Sequence, residues 1–203
     1  MMSNTLVIAT HNRGKVAEIH KLLRDIPWQL LSLQEFDGVG VAEENKDSYE
    51  GNAVLKARYY AVATRSWVLA DDSGLEVAAL AGAPGVLSAR YAGETASDAE
   101  RRNLLLSELD KQGAVERKAR FVCSAAIADP SGEIRKLTEG VCEGAIAHEA
   151  RGDGGFGYDP IFIPNGYTQT FGELAEDIKN QISHRAKALL QARDFLLGKN
   201  WPA

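Results

Sequence analysis

A short apolar segment that runs directly into two carboxylates constrains this chain more than any other feature. Residues 67–70, Trp-Val-Leu-Ala, have the length and composition of a buried β-strand, and Asp71, Asp72, Ser73 and Gly74 follow without a break. Ligands of open α/β sheets gather beyond the carboxyl ends of the strands, so we expect a metal ion or a polar substrate here. Successive side chains of an extended chain point to opposite sides, which predicts different roles for the two aspartates. The alternative is an Asx turn, in which one aspartate caps the following segment.

The N-terminal segment predicts a strand, a polar loop and a helix. Residues 6–9 are apolar, and the helix carries its apolar face at Val16, Ile19, Leu22, Leu23 and Ile26. The loop between them reads Thr10, His11, Asn12, Arg13, Gly14 and Lys15. Such a loop can bind phosphate, because the first N–H groups of a helix have no internal partner and Lys15 adds a full charge. It is not a Walker A motif, since Ala9 replaces the first glycine and Val16 replaces the magnesium-binding Ser or Thr. A capped helix start with a solvated lysine is the alternative.

A second strand, an acidic stretch and a second helix come next. Residues 28–33 predict the strand, and Glu43 and Glu44 lie in the acidic stretch 34–48, where paired carboxylates are usually a solvated turn. Asp47 and Glu50 resemble a capping box, which predicts a helix to about Thr64. Its apolar face consists of Ala53, Ala57, Tyr60 and Ala61. Asn52 and Lys56 are four residues apart and share one helix face, which in the alternative interpretation simply faces water.

The middle of the chain predicts further sheet strands and one more helix. Residues 75–80 form a short apolar segment, and residues 82–85, Gly-Ala-Pro-Gly, turn the chain. Ser97 and Glu100 form a capping box that predicts a helix over residues 98–109. Residues 119–128 and 137–142 are expected to be antiparallel strands joined near residues 130–132, Pro-Ser-Gly. The sheet is therefore predicted to be mixed.

A glycine-rich stretch and a basic helix start mark the C-terminal part. Residues 152–160 read Gly-Asp-Gly-Gly-Phe-Gly-Tyr-Asp-Pro, which allows close approach to a ligand and supplies aromatic stacking. A plain surface connector is the alternative. Lys179 precedes Ser183, His184 and Arg185, which open a helix with Ala186, Leu189, Leu190, Leu196 and Leu197 inward. Because cations are disfavoured at a helix start, His184 and Arg185 there predict an anionic ligand.

The composition is that of a globular protein with one domain spanning residues 1–203. Hydrophobic residues are 45% and charged residues 25%, and the formal net charge of −5 argues against a broad nucleic-acid surface. No signal peptide or transmembrane segment is recognised, so no membrane partner is expected. Cys123 and Cys142 lie in apolar segments and predict buried, reduced thiols. We therefore expect a cytoplasmic location.

Together these segments resemble one family along residues 6–197. The motifs that carry the resemblance are Ala-Asp-Asp-Ser-Gly-Leu at residues 70–75, Gly-Gly-Phe-Gly-Tyr-Asp-Pro at 154–160 and Ile-Ser-His-Arg at 182–185. The chain is similar to the noncanonical purine nucleoside triphosphate pyrophosphatases, also called inosine triphosphate or dITP/XTP pyrophosphatases. The resemblance implies a two-lobed α/β fold with the active cleft between the lobes and a homodimer. It also implies magnesium-dependent hydrolysis of dITP/ITP and XTP/dXTP to the monophosphate and pyrophosphate.

The resemblance also assigns roles to residues. Asp72 would accept a proton and, with Glu43, bind Mg²⁺, while Asp71 would support it or hold a second ion. The substrate-binding set consists of Thr10, His11, Asn12, Arg13, Gly14, Lys15, Asn52, Lys56, Ser73, Phe156, Gly157, Tyr158, Asp159, Lys179, His184 and Arg185. Lys15 and Lys56 would hold the phosphates, and the residues from Phe156 on would surround the base. His11 and Gly51 stand where many members have glycine and glutamate.

Two other functions are compatible with the same motifs. One is a pyrophosphatase with the same acidic centre but a pocket for pyrimidine nucleotides. The other is a nucleotide-binding regulatory protein without turnover, which the presence of both Glu43 and Asp72 disfavours. Substrate preference separates the first from the main hypothesis, and turnover separates the second.

Overall fold

The computed structural model describes residues 4–113 and 115–198, in which six strands and five α-helices are present. In chain order these are β1 (Asn4–Ile8), α1 (Arg13–Leu22), β2 (Trp28–Ser32), α2 (Tyr49–Thr64), β3 (Trp67–Val77), α3 (Asp98–Lys111), β4 (Lys118–Ala128), β5 (Ile134–Ile146), β6 (Phe162–Pro164), α4 (Glu176–Ile182) and α5 (His184–Leu197). None of the helices within these residues combines the length and the apolar composition that a bilayer span requires.

The six strands form one mixed sheet in the order β2-β1-β3-β4-β5-β6. β1 runs parallel to both β2 and β3, whereas β5 and β6 are antiparallel. β4 and β5 are neighbours joined by only five residues, 129–133, which is long enough for an antiparallel hairpin and too short for a parallel crossover. The predicted α/β class with a mixed sheet is therefore confirmed.

The chain divides into two compact units, as the two-lobed fold implies. Among the described residues the first unit comprises 4–72, 123–140 and 185–198, and the second comprises 73–122 and 141–184. That the whole chain acts as one domain stays a prediction.

Alternation along the strands builds two cores in the first unit. Leu6 and Ile8 of β1 and Leu69 of β3 are fully buried in a cluster with residues of α1 and α5. The intervening Val7 of β1 and Val68 of β3 are buried in a second cluster with residues of α2. Side chains at odd positions of β3 up to Leu69 therefore face α1 and α5, and those at even positions face α2.

Aromatic packing organises the core of the second unit. The rings of Phe121 and Phe162 have centroids 4.6 Å apart, and Phe162 and Phe171 stack at 5.4 Å. Leu105 and Leu109 of α3 are fully buried in the same cluster. The predicted capping box of α3 is confirmed, with Ser97 at the N-cap and Glu100 bonded back to its N–H.

Two predictions of local structure are wrong. β3 does not end at Ala70 but runs for 11 residues, so Asp71, Asp72 and Ser73 lie within the strand. The strand continues through Gly74 to the buried Leu75 and Val77, so the alternative of an Asx turn after Ala70 is also wrong. The N-cap of α2 is Ser48 rather than Asp47, and its hydroxyl accepts a hydrogen bond from the Gly51 N–H at 3.1 Å.

The C-terminal half differs from its prediction mainly in extent. β5 is longer than residues 137–142, and β6 and α4 were not predicted. On α5, Leu189 and Leu196 are buried as expected, but Leu190 and Leu197 are 39% and 43% exposed. Ala188 and Ala192 of the same helix are buried in the core instead.

Candidate active site

The loop after β1 is organised by its own side chains. The Asn12 side chain caps α1 by accepting a hydrogen bond from the Lys15 N–H at 3.1 Å, and the Thr10 hydroxyl accepts one from the Asn12 N–H at 3.2 Å. His11, Asn12 and Arg13 are exposed, whereas Gly14 and Lys15 are half-buried. The predicted strand, polar loop and helix are present, with the positive end of the α1 dipole at this loop.

Asp71 is the centre of a buried charge network that joins β3, α1 and α5. Its side chain is fully buried, and its Oδ2 lies 3.0 Å from Lys15 Nζ and 3.2 Å from Arg185 Nε. Arg185 also pairs through Nη1 with Glu18 of α1. Although burial opposes ionisation, the Lys15 and Arg185 charges hold the pKa of Asp71 well below its usual range. Asp71 is therefore a permanent anion that holds two cations in place.

Cys123 of β4 lies beneath this network. Its Sγ is 3.9 Å from Asp71 Oδ2 and is fully buried. Burial and the Asp71 charge raise the pKa of the Cys123 thiol to about 12, so it stays protonated. The predicted buried free thiols are confirmed for both Cys123 and Cys142.

Asp72 points to the opposite face of β3 and meets α2. Asn52 Nδ2 donates to Asp72 Oδ2 at 3.0 Å, and Lys56 Nζ lies 3.6 Å from Oδ1. The Lys46 N–H donates to Asn52 Oδ1 at 3.0 Å, which turns the amide nitrogen toward the aspartate. Asn52 and Lys56 are both buried, so the alternative in which they face water is wrong. One extended strand thus gives its two aspartates to two different helices.

The charges around Asp72 differ from those around Asp71. Burial raises the pKa of Asp72 above its ordinary value, and the nearby Lys56 and Lys15 only partly offset this. Lys56 also pairs with Glu44 at 3.0 Å. Burial lowers the pKa of Lys56, but the Asp72, Asp71 and Glu44 charges raise it more, so the lysine is charged. Asp72 therefore combines a raised pKa with a fixed orientation, which suits a proton acceptor.

In the second unit, the glycine-rich loop folds around the Asp159 carboxylate. Asp159 Oδ2 accepts a hydrogen bond from the Phe156 N–H at 2.8 Å and pairs with Lys179 Nζ at 2.5 Å. Gly155 has φ +72°, and a Cβ at this position would lie 2.1 Å from Asp159 Oδ2, so only glycine fits. Lys179 Nζ is also 4.9 Å from the centre of the half-buried Phe156 ring. The loop is a folded structure and not a plain connector.

The remaining aromatic residues of this unit support the loop. Tyr158 is buried and its hydroxyl donates to the Ser88 carbonyl at 3.0 Å. Burial raises the pKa of Tyr158, which keeps it a neutral donor. His184 is buried and stacks on Phe121 with ring centres 4.6 Å apart and planes within 10°. Phe156 is therefore the less buried of the two aromatic residues in the loop.

Comparisons with known proteins agree with this architecture. The Ham1 family model matches residues 6–195. The chain belongs to the Ham1 family. A dITP/XTP pyrophosphatase of Desulforamulus reducens is 50% identical over 191 residues, 94% of each chain. The dITP/XTP pyrophosphatase of Bacillus subtilis is 48% identical and covers 94% of this chain and 96% of its own length. The HAM1 protein from Coxiella burnetii has a similar structure, with a TM-score of 0.87 and 42% identity over 95% of this chain and 98% of its own.

In this Ham1 chain the structure brings together two of the predicted groups. Lys15 and Arg185 contact Asp71, and Asn52 and Lys56 contact Asp72. At the start of α5, Arg185 pairs with two anions of the protein itself, Asp71 and Glu18, and an anionic ligand there stays a prediction. In the second unit, Lys179 of α4 is joined through the Asp159 carboxylate to the glycine-rich loop, which contains Phe156, Gly157, Tyr158 and Asp159.

Glu18 and Glu44 both pair with buried cations, which the sequence analysis does not predict. Glu43 is exposed, whereas its neighbour Glu44 contacts Lys56. Glu18 is not among the predicted site residues, although its position indicates that it faces inward. It lies three residues after Lys15 and four before Leu22, on the same side of α1. A carboxylate on that side needs a cation, and Arg185 is the cation it meets.

A metal ion at this site would depend on its acidic residues. Within residues 4–113 and 115–198, no group of three or more His, Cys, Asp or Glu side chains is arranged to hold one. Mg²⁺ that enters with a nucleotide needs only one or two carboxylates, because phosphates and waters supply the other ligands. Asp72, with hard oxygen donors and a strand that fixes it, fits that arrangement.

Proposed function

We propose that this Ham1-family protein hydrolyses noncanonical purine nucleoside triphosphates, dITP/ITP and XTP/dXTP, to the monophosphate and pyrophosphate. Two lines of argument support this reaction. Relatives that match nearly the whole chain are named dITP/XTP pyrophosphatases. The observation that carries the proposal is the pair of buried aspartates on opposite faces of β3, one fixed by Lys15 and the other by Asn52 and Lys56.

The triphosphate is assigned to the cationic residues of the first unit. A nucleoside triphosphate carries about four negative charges, and phosphoryl transfer is catalysed mainly by positioning and charge stabilisation. Lys15 at the start of α1 and Lys56 on α2 supply two charges. The loop residues Thr10 to Gly14 supply backbone N–H groups and the positive end of the helix dipole. Asp71 takes no proton in this scheme and holds Lys15 in position.

Asp72 is the proposed proton acceptor. Its raised pKa brings it closer to neutral pH than an ordinary aspartate, which increases its strength as a base for a water molecule. Asn52 fixes Oδ2, so the carboxylate needs little reorganisation when the water attacks the α-phosphorus. Lys56 remains charged beside the developing negative charge. The bond that breaks joins the α-phosphorus to the bridging oxygen, and pyrophosphate leaves.

Mg²⁺ is the proposed cofactor, held by Asp72 and Glu43. When bound, it would neutralise phosphate charge and lower the pKa of a coordinated water. Glu43 is exposed on the loop before α2 and so is free of a burial cost when it approaches an ion. Its neighbour Glu44 is assigned to Lys56.

The base is assigned to residues of the second unit. Phe156 would stack on the purine, and Lys179 and His184 would donate to a 6-keto oxygen. A 6-amino group is itself a donor and cannot accept a hydrogen bond from Lys179 or His184, which would disfavour adenine. Gly157, Tyr158 and Asp159 shape the loop, and Ser73 of β3 completes the proposed contacts. Arg185 belongs to the substrate set by resemblance, and its contacts with Glu18 and Asp71 give it a second role in holding the acidic centre.

We further propose that the chain acts as one catalytic domain and as a homodimer. The dimer rests on family resemblance, and light scattering of the purified protein tests it through the molar mass. A mass of one chain, 22.0 kDa, would contradict the dimer without affecting the proposed reaction.

Pyrophosphate release tests the proposed reaction. The protein is incubated with Mg²⁺ and dITP, XTP, dATP, dGTP or dTTP in parallel, with Asp72→Asn as the control for contaminating activity. We expect rapid release from dITP and XTP, and none after chelation of the metal. Faster release from dTTP would favour a pyrimidine pyrophosphatase, and binding of dITP without release would favour a regulatory nucleotide-binding protein.

A further inference from the structure

Helix α3 binds the backbone of the glycine-rich loop at Gly157. Asp98 Oδ2 accepts a hydrogen bond from the Gly157 N–H at 2.7 Å, and Arg102 Nη1 donates one to the Gly157 carbonyl at 2.7 Å. Asp98 and Arg102 are four residues apart and so project from the same face of α3. Both peptide groups that flank the Gly157 Cα are therefore bound to one helix face.

These two contacts matter because of the backbone conformation at Gly157. Its φ is +60°, in the left-handed region, and glycine has more conformational freedom than any other residue. A rotation about Gly157 would turn Phe156 relative to Tyr158. Tyr158 is already fixed by its bond to Ser88, so the orientation of Phe156 depends on whether the Gly157 peptides are held.

Asp98, which accepts the hydrogen bond from the Gly157 N–H, is held in its charged form. Burial opposes ionisation of Asp98, but the Gly157 N–H and the neighbouring Arg101 hold its pKa below the ordinary value. A charged acceptor forms a shorter and stronger hydrogen bond with a backbone N–H than a neutral one does. Asp98 is at the first position of α3, where the helix dipole also favours a negative charge.

The other side of the loop is held independently of α3. Asp159 accepts from the Phe156 N–H and pairs with Lys179, which lies over the Phe156 ring. Phe156 is thus held through its own N–H by Asp159 and through the next peptide by Asp98. Its ring keeps exposed surface, while the backbone beneath it has fixed partners.

We propose that Asp98 and Arg102 are positioning residues that set the orientation of Phe156 for recognition of the purine base. The inference rests on the proposed function and deepens it, because neither residue is assigned to the reaction. They act through the loop and not on the phosphates. Their loss should therefore weaken base recognition and leave phosphate binding unchanged.

Steady-state kinetics of Asp98→Ala and Arg102→Ala with dITP and dATP test this role. Lys111→Ala is the matched control, because it removes the same charge as Arg102→Ala from an exposed position on α3. We expect the KM for dITP to rise about tenfold in either variant, since a hydrogen bond to a charged group contributes on that scale. The preference for dITP over dATP should fall, kcat should change little, and Asp98→Asn should recover part of the loss because its amide oxygen can accept from Gly157.

Inhibition by inorganic triphosphate separates positioning from general damage. This probe has no base, so its inhibition constant should match the wild type in both α3 variants and should rise in Lys15→Ala. If Asp98→Ala fails to fold, Arg102→Ala decides the question. Unchanged KM and unchanged base preference in an active, folded Arg102→Ala protein would overturn the inference. Absence of dITP hydrolysis by the wild type would instead contradict the proposed function itself.

Discussion

Replacing each of the two adjacent aspartates by asparagine should change stability in opposite directions. Asparagine keeps the size of the side chain and removes its charge. Asp71 is fully buried between two cations, whereas Asp72 has a raised pKa and so is a charge that burial disfavours. We expect Asp71→Asn to lower the free energy of unfolding and Asp72→Asn to leave it equal or raise it.

The magnitude for Asp71→Asn follows from what the substitution leaves behind. Breaking a buried ion pair by removing one partner costs about 3–5 kcal/mol. Arg185 keeps Glu18 as a partner, and the Lys15 side chain, 14% exposed, can turn toward water. The loss should therefore lie near the lower end, about 3 kcal/mol, which for a chain of this size lowers Tm by roughly 6–12 °C.

The sign for Asp72→Asn follows from proton binding. Between the unfolded-state pKa, about 3.9, and the higher folded-state value, the native protein binds more protons, so the free energy of unfolding falls as pH rises. Above the folded-state pKa this loss is complete, and asparagine, which carries no charge, removes it. Lys56 still has Glu44 at 3.0 Å in the variant. Activity should be abolished although stability is kept.

Urea unfolding of the wild type and both variants at pH 7, followed by circular dichroism, measures the difference. If the free energy of unfolding falls with urea concentration at the same slope in all three proteins, the substitutions have changed only stability. Because the pKa of Asp71 is lowered by folding, its contribution is present above the unfolded-state value and declines below about pH 4. The difference in the free energy of unfolding between wild type and Asp71→Asn should therefore become smaller below that pH. Equal destabilisation by the two substitutions at pH 7 would refute the assignment of opposite roles.

Three further predictions concern the neighbouring residues. Glu43→Gln should raise the Mg²⁺ concentration needed for half-maximal pyrophosphate release more than Glu44→Gln does, and the reverse order would make Glu44 the metal ligand. Tyr158→Phe should lower the free energy of unfolding by about 1–3 kcal/mol in urea titrations, because the buried Ser88 carbonyl loses its donor; no change would mean that the bond contributes nothing. Cys123 should react with a thiol reagent at pH 8 only after unfolding, since burial raises its pKa to about 12, and rapid labelling of native protein would contradict this.

The sequence predicted well what depends on local pattern. The helical spacing and the strand-like runs of apolar residues identified the helices and strands of the first unit. The alternation of side chains along β3 placed Asp71 and Asp72 on opposite faces. The capping box at Ser97 and Glu100 was also read correctly. These features are determined within a few residues, so a single sequence contains the information.

Features that depend on distant partners were not predictable. The continuation of β3 past Gly74 depends on Leu75 and Val77 being buried in the second unit. Arg185 was predicted to meet an external anion, and nothing near it in sequence indicated that Asp71, 114 positions away, would provide the charge.

The division into two units has a consequence for how such a protein can be altered. The first unit consists of three separate segments and the second of two. The chain passes from one unit to the other after residues 72, 122, 140 and 184. Neither unit can be produced as an uninterrupted fragment. Exchanging the second unit for that of a relative would require exchanging 73–122 and 141–184 together, because α3 and the glycine-rich loop that it binds belong to different stretches. Exchange of one continuous stretch alone would separate α3 from the loop that it binds.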